Sequence, residues 1–383
     1  MADTWSILPF EIIVAISGKL VEPEYFEHLR AEQRALAAVR LACKRYAEAV
    51  PHAVKSLSVV GAFPDGTLSR NLSCLESMTW ERGIASPSFA APKSLRVLKL
   101  SYALPCQSLM NLCTDFRAIE HLELRWIPLT DVSPLASLTN LRSLSLILHN
   151  SLGRHPRRKH LVGLERLSNI TSLTLQDNHM ESLPPAVFQL TKLESIAIPD
   201  CRQFTSLRSM EQFPRLTALD LTGCYRAELS TIPPTILSLN LTRGEMVLAD
   251  LYSAVGTSLK SLDMSYSSVY YEDVEELRTL GMMTSLETLI LKDSMDFGYT
   301  DVKYLSSLKR LTALDISGSE HGKIDDGLGS LSSLTSLKLN SICLPEDIGV
   351  LSRLTGLTTL QVQGRLTADE KIILRDYLPN IAI

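Results

Sequence analysis

The 383-residue sequence has seven cysteines but no C-x-x-C pair, and no cysteine–histidine cluster at zinc-finger spacing. An odd number of irregularly spaced cysteines points to neither a disulfide framework nor a structural metal site, and fits reduced thiols in the cytosol or nucleus. No uninterrupted apolar run approaches the roughly 18 residues of a membrane span. At the N-terminus Asp3 precedes any basic residue, and Pro9, Glu11 and Lys19 interrupt the apolar stretch, so a secretory signal is not matched. The expected protein is soluble and either cytoplasmic or nuclear. Charge of one sign is missing too. The net charge of −4 gives no global drive toward nucleic acid or an anionic membrane, so neither is expected as a partner. There is no H-E-x-x-H, no Gly-rich phosphate loop of Walker or Rossmann form, and no G-x-S-x-G elbow. The acidic pair Asp325-Asp326 reads as the start of a helix, where negative charge is favoured. No catalytic residue, metal ligand or cofactor is therefore expected, and the chain reads as a non-enzyme.

Aliphatic residues in a regular pattern are what the sequence does have. A 45% hydrophobic and 21% charged composition is that of a chain folded throughout. The pattern L-x-x-L-x-L begins at Leu95, Ile119, Leu141, Ile170, Leu193, Leu216, Ile236, Leu259, Leu286, Leu311, Leu334, Leu357 and Leu378. Weaker copies begin at Val54 and Leu75, making roughly fifteen units with a period of about 23 residues, the spacing of leucine-rich repeats. In each copy a short strand turns its last apolar pair, such as Leu173 and Leu175, to one side. No single strand can bury that face alone, so the units must stack over a shared leucine core. The expected fold class is an α/β repeat: a leucine-rich repeat solenoid, a horseshoe with a concave parallel sheet, over residues 51–383.

Three residues past the last strand leucine stand Asn178, Cys201 and Cys224, and in later copies Ser267, Ser294 and Ser319. These side chains are expected to satisfy backbone groups where the chain leaves the strand, which makes the two cysteines buried and inert. The returning segments 131–138 and 183–190 read as irregular or 3₁₀ turns, and 273–280 as a helix with an acidic first turn. Thr367 and Glu370 form a capping-box pattern before a helix to Tyr377, after which Leu378, Ile381 and Ile383 read as one more strand.

Ahead of the repeats, Leu8, Ile12, Ile13, Ile16 and Leu20 lie at helical spacing, with Pro9 suited to a first helical turn. A second amphipathic pattern runs through Leu29, Leu36, Val39, Cys43, Tyr46 and Val50. The stretch Leu8-Pro9-Phe10-Glu11-Ile12-Ile13, followed by Val39-Arg40-Leu41-Ala42-Cys43-Lys44-Arg45-Tyr46, resembles the F-box, whose members read L-P-x-E-h-h and later h-C-K-R-W. Tyr46 stands where the family has tryptophan, and the segment between Leu20 and Leu36 is longer than is common there. The resemblance covers residues 1–50 and implies an α-helical F-box-like cap that contacts a Skp-family adaptor through Leu8, Pro9, Ile13, Leu41, Cys43 and Tyr46. It also implies a substrate-recognition subunit of an SCF-type ubiquitin ligase. The same residues also fit a plain cap on the solenoid core, in which case the chain is an interaction scaffold or a signalling or immune adaptor.

A protein target is expected on the concave face. Its candidate contacts toward the N-terminal end are Tyr102, Arg125 and Trp126, with Arg157 and Arg158 in a basic insertion. Further along, Asp220, Arg243, Asp263 and Tyr266 belong to an acidic strip interrupted by one aromatic and one basic residue. Tyrosine, tryptophan and arginine are enriched at binding hot spots, and arginines pair well with an acidic or phosphorylated motif.

Overall fold

The structure, a computed structural model, describes residues 55–60, 74–81, 92–102, 109–127, 129, 131–148, 161–177, 179–207, 210–269, 274–294, 299–318, 326–340, 348–364, 366–378 and 381. The F-box-like segment, with Leu8, Pro9, Ile13, Leu41, Cys43 and Tyr46, lies outside these residues. So do Arg157, Arg158, Asn178 and Ser319.

The chain divides into two compact units. One comprises residues to Leu175 together with Pro184–Leu190, and the other comprises Gln176–Leu183 and Thr191–Ile383. In the first, strands β1 (Ser56–Val60), β2 (Ser77–Glu81), β3 (Val97–Ser101), β4 (His121–Arg125), β5 (Ser143–Ile147) and β6 (Ser172–Gln176) neighbour one another in chain order. The pairs from β1 to β5 are parallel and in register, so that Leu98 faces Leu122 and Leu122 faces Leu144. Even the weak second copy is in place, with Leu75, Met78 and Trp80 at most 2% exposed.

The second unit repeats the plan with β7 (Ser195–Ala197), β8 (Ala218–Asp220), β9 (Ser238–Asn240), β11 (Ser261–Asp263), β13 (Thr288–Ile290), β14 (Ala313–Asp315), β15 (Ser336–Asn340) and β16 (Thr359–Gln363). The two-residue strands β10 (Glu245–Met246) and β12 (Ser268–Val269) pair separately. Both units therefore have the leucine-rich repeat architecture. Counting each repeat from its first leucine as position 1, positions 1, 4 and 6 point inward. Leu193, Ile196 and Ile198 show the rule, all fully buried. Positions 3 and 5 point outward, because successive strand residues alternate faces, and position 7 follows them in repeats such as that of Arg125, while Ser101, Ser265 and Ser317 at position 7 are buried.

Returning segments close the core from the other side. Ser133–Ser137 and Pro185–Gln189 are 3₁₀ helices with proline in the first turn, as expected. Helix α1 (Leu109–Asp115) is short. Helix α2 (Leu248–Val255) buries Leu248, Leu251 and Val255, one stripe at helical spacing. Helix α3 (Val274–Met282) covers the segment read as helical from its acidic start, and Asp326 opens a 3₁₀ helix to Ser330.

Side-chain ladders satisfy the backbone between repeats. At position 2, the hydroxyls of Thr312, Thr335 and Thr358 each donate to the backbone carbonyl one repeat earlier, at 2.9 to 3.0 Å. At position 9, Cys224 Sγ donates to the Ile198 carbonyl, Ser267 Oγ to Leu241 and Ser294 Oγ to Met264. Cys201 Sγ accepts from the Asp177 amide and donates to the Pro199 carbonyl. Burial pushes the Cys201 thiol up to about 11 and the Cys224 thiol to about 12, so both are protonated and unreactive near neutral pH.

Of the expected closing strand only Leu378 and Ile381 are described, and neither lies in a strand. Helix α4 (Ala368–Tyr377) precedes them, and the Leu378 amide donates to the Leu374 carbonyl while Ile381 turns back onto Leu378. Leu378 is buried as the last residue of a helical turn, and β16 is the last strand among the described residues.

Candidate protein-recognition surface

The outward residues are organised by a corner at position 8. There the backbone is left-handed at Tyr102 (φ 67°), Trp126 (φ 54°), Asp200 (φ 55°), Arg243 (φ 60°), Tyr266 (φ 56°) and Asp293 (φ 51°), and at Gly223 and Gly318 in other repeats. The corner lets the chain leave the sheet while its amide still pairs. Tyr102 donates to the Arg125 carbonyl, Trp126 to Ile147, Arg243 to Ser265 and Tyr266 to Lys292. For a residue with a Cβ this conformation costs about 1–2 kcal/mol, and glycine avoids that cost. Sequence reasoning missed the corner because no glycine or asparagine marks it at these copies.

In the first unit the corners at Tyr102 and Trp126 bring their rings together, centroids 4.5 Å apart and planes tilted by 38°. Tyr102 is 44% exposed. Arg125, at position 7 of β4, bonds through Nε to Glu123 Oε1, and Lys99 Nζ lies 3.4 Å from the other oxygen of the same carboxylate. Tyr102, Arg125 and Trp126 thus lie together at the end of the sheet face.

In the second unit Tyr266 is 48% exposed, and Lys292 Nζ lies 5.6 Å from its ring centroid. A hydrogen bond with the Tyr266 side chain is the first cause raising the Lys292 ammonium above its ordinary value. Arg243 occupies the corner of the repeat before Tyr266, on the far side from Lys292.

The aspartates have a local duty. Asp263 Oδ1 accepts from the Ser265 amide (2.9 Å) and hydroxyl (2.6 Å), and Asp315 accepts in the same way from Ser317. Asp220 does so from Thr222, and Asn240 from the Thr242 amide. Each carboxylate is half-buried and holds the turn that leads into the corner. The signal was present as D-x-[ST], although net charge alone reads it as an acidic strip.

Among the described residues no cluster of histidine, cysteine, aspartate or glutamate could hold a metal ion. No helix there is long and apolar enough to cross a membrane.

Residues 130–224 match the model of a family described as R13L1/DRL21 LRRs. They are leucine-rich repeats. No curated protein matches the chain. Among solved structures, an internalin (InlF) from Listeria monocytogenes is similar at 18% identity and a TM-score of 0.45, covering 83% of this chain and 88% of its own. An LRR protein of Leptospira interrogans is similar at 18% identity and a TM-score of 0.41, covering 89% of this chain and 97% of its own.

Proposed function

We propose that this chain is the substrate-recognition subunit of an SCF-type ubiquitin ligase. Its leucine-rich repeats support the coarser part of this reading, a protein-interaction scaffold, because stacked repeats present long outward faces suited to gripping a partner. The finer part rests on one observation: Leu8-Pro9-Phe10-Glu11-Ile12-Ile13 and Cys43-Lys44-Arg45-Tyr46 stand in F-box order directly ahead of the repeats. In this account Leu8, Pro9, Ile13, Leu41, Cys43 and Tyr46 contact the Skp-family adaptor. The outward sheet face holds a protein target, and other subunits transfer ubiquitin. The chain supplies proximity rather than chemistry, in the cytoplasm or nucleus.

A second reading, an interaction scaffold without a ubiquitin role, needs only the repeats, to which the family match at residues 130–224 belongs. A pull-down of the full chain with purified Skp-family adaptor separates the two. Binding that is lost in a Leu8→Ala, Pro9→Ala variant of unchanged circular dichroism supports the ligase subunit. Failure of the unaltered protein to bind its own organism's adaptor leaves the scaffold.

A further inference from the structure

We propose that Tyr102 and Trp126 form a docking platform for an acidic segment of the target protein, an inference that rests on target binding at the sheet face but not on adaptor contact. Three observations converge on these two corners. The rings lie against each other on adjacent repeats, and Tyr102 is nearly half exposed, so together they offer a rigid aromatic surface. Both residues hold a left-handed backbone that Gly223 and Gly318 fill without a side chain at the same position of other repeats. The turn itself therefore does not need the rings.

The third observation is charge. Lys99 and Arg125, 47% and 42% exposed at their side chains, share the single carboxylate of Glu123, which is 14% exposed. Among the described side chains, two cations on one carboxylate leave one positive charge in excess near the aromatic pair. The Tyr102 amide bond to the Arg125 carbonyl keeps that charge next to the rings. On β3, β4 and β5, the other described side chains at positions 3, 5 and 7 are Val97, Ser101, His121, Ser143, Ser145 and Ile147, none of them acidic. A partner segment with an aliphatic or aromatic side chain next to a carboxylate meets both features at once: its apolar group covers the rings, and its carboxylate takes the spare cation. The corner at Tyr266 differs, because Lys292 already lies against that ring and Asp293 and Asp315 act on that ammonium.

The test is selection of a displayed library of random twelve-residue peptides on the full chain, followed by affinity measurements on synthetic copies of the enriched sequences. The proposal expects enriched peptides that pair aspartate or glutamate with an apolar residue. Their affinity should fall at least about tenfold in Trp126→Gly and in Lys99→Gln with Arg125→Gln, and hold within about twofold in Tyr266→Gly. Glycine suits the left-handed corner, so Trp126→Gly keeps the fold, which cooperative unfolding verifies. Peptides that are basic or uncharged, acidic peptides indifferent to both first-unit variants, or no enrichment at all overturn the proposal. Peptides lost only in Tyr266→Gly also overturn it while leaving target binding at the sheet face standing. The adaptor pull-down reports separately on the ligase reading.

Discussion

Asp220 Oδ1 accepts hydrogen bonds from both the backbone amide (2.9 Å) and the hydroxyl (2.6 Å) of Thr222, two residues further along the chain. The pair converts what reads in sequence as a surface charge into the device that turns the chain out of the sheet. Asp263 with Ser265 and Asp315 with Ser317 repeat it. Asp220→Ala leaves the Thr222 amide and hydroxyl without this acceptor and is expected to cost about 1–2 kcal/mol in urea unfolding. Asp220→Asn keeps the acceptor and should stay within about 0.5 kcal/mol of the parent. Equal losses in the two variants would show that the negative charge, not the turn, is what matters.

At Leu239, 1% exposed on β9, truncation to alanine opens a cavity between neighbouring repeats. The expected loss is about 2–5 kcal/mol, read from the denaturant midpoint. A change under about 1 kcal/mol would mean the stacked core does not carry stability there.

Gly163 has a φ of 87°, and a Cβ at this position would collide with the Cβ and Cα of Ser133. Gly163→Ala combines left-handed strain with overpacking against backbone, so a loss of about 2–4 kcal/mol is expected. Differential scanning calorimetry checks it, and an unchanged melting temperature would contradict the close approach of the two segments.

The buried thiols make a pH prediction. Below about pH 9, the ordinary thiol value, Cys201 and Cys224 are protonated in both the folded and unfolded states, so they leave stability unaffected. Above that, the unfolded chain ionises first while the folded thiols wait until about 11 and about 12, so stability falls as pH rises through this window. Replacing both cysteines by serine, the residue at the equivalent Ser267 and Ser294, should flatten that part of the profile. An identical decline in the serine variant would assign it to other groups.

Much of the repeat core was legible because burial imposes a fixed spacing. Leu193, Ile196 and Ile198 had to face one side of a strand, and the polar partners at Cys224, Ser267 and Ser294 followed from the backbone groups left open there. The corner was not legible. A left-handed turn usually announces itself by glycine or asparagine, and Tyr102, Trp126, Arg243 and Tyr266 give no such sign. Asp220 and Asp263 were visible as charges, while their role depended on the hydroxyl or amide two residues on.

The most direct test of the functional account is hydrogen–deuterium exchange of the full chain with and without a saturating Skp-family adaptor. The account predicts new protection confined to residues 8–46, with the repeat strands unchanged and the outward face left free for a target. Protection on the repeat face with none in residues 8–46, or no protection at all, would contradict it.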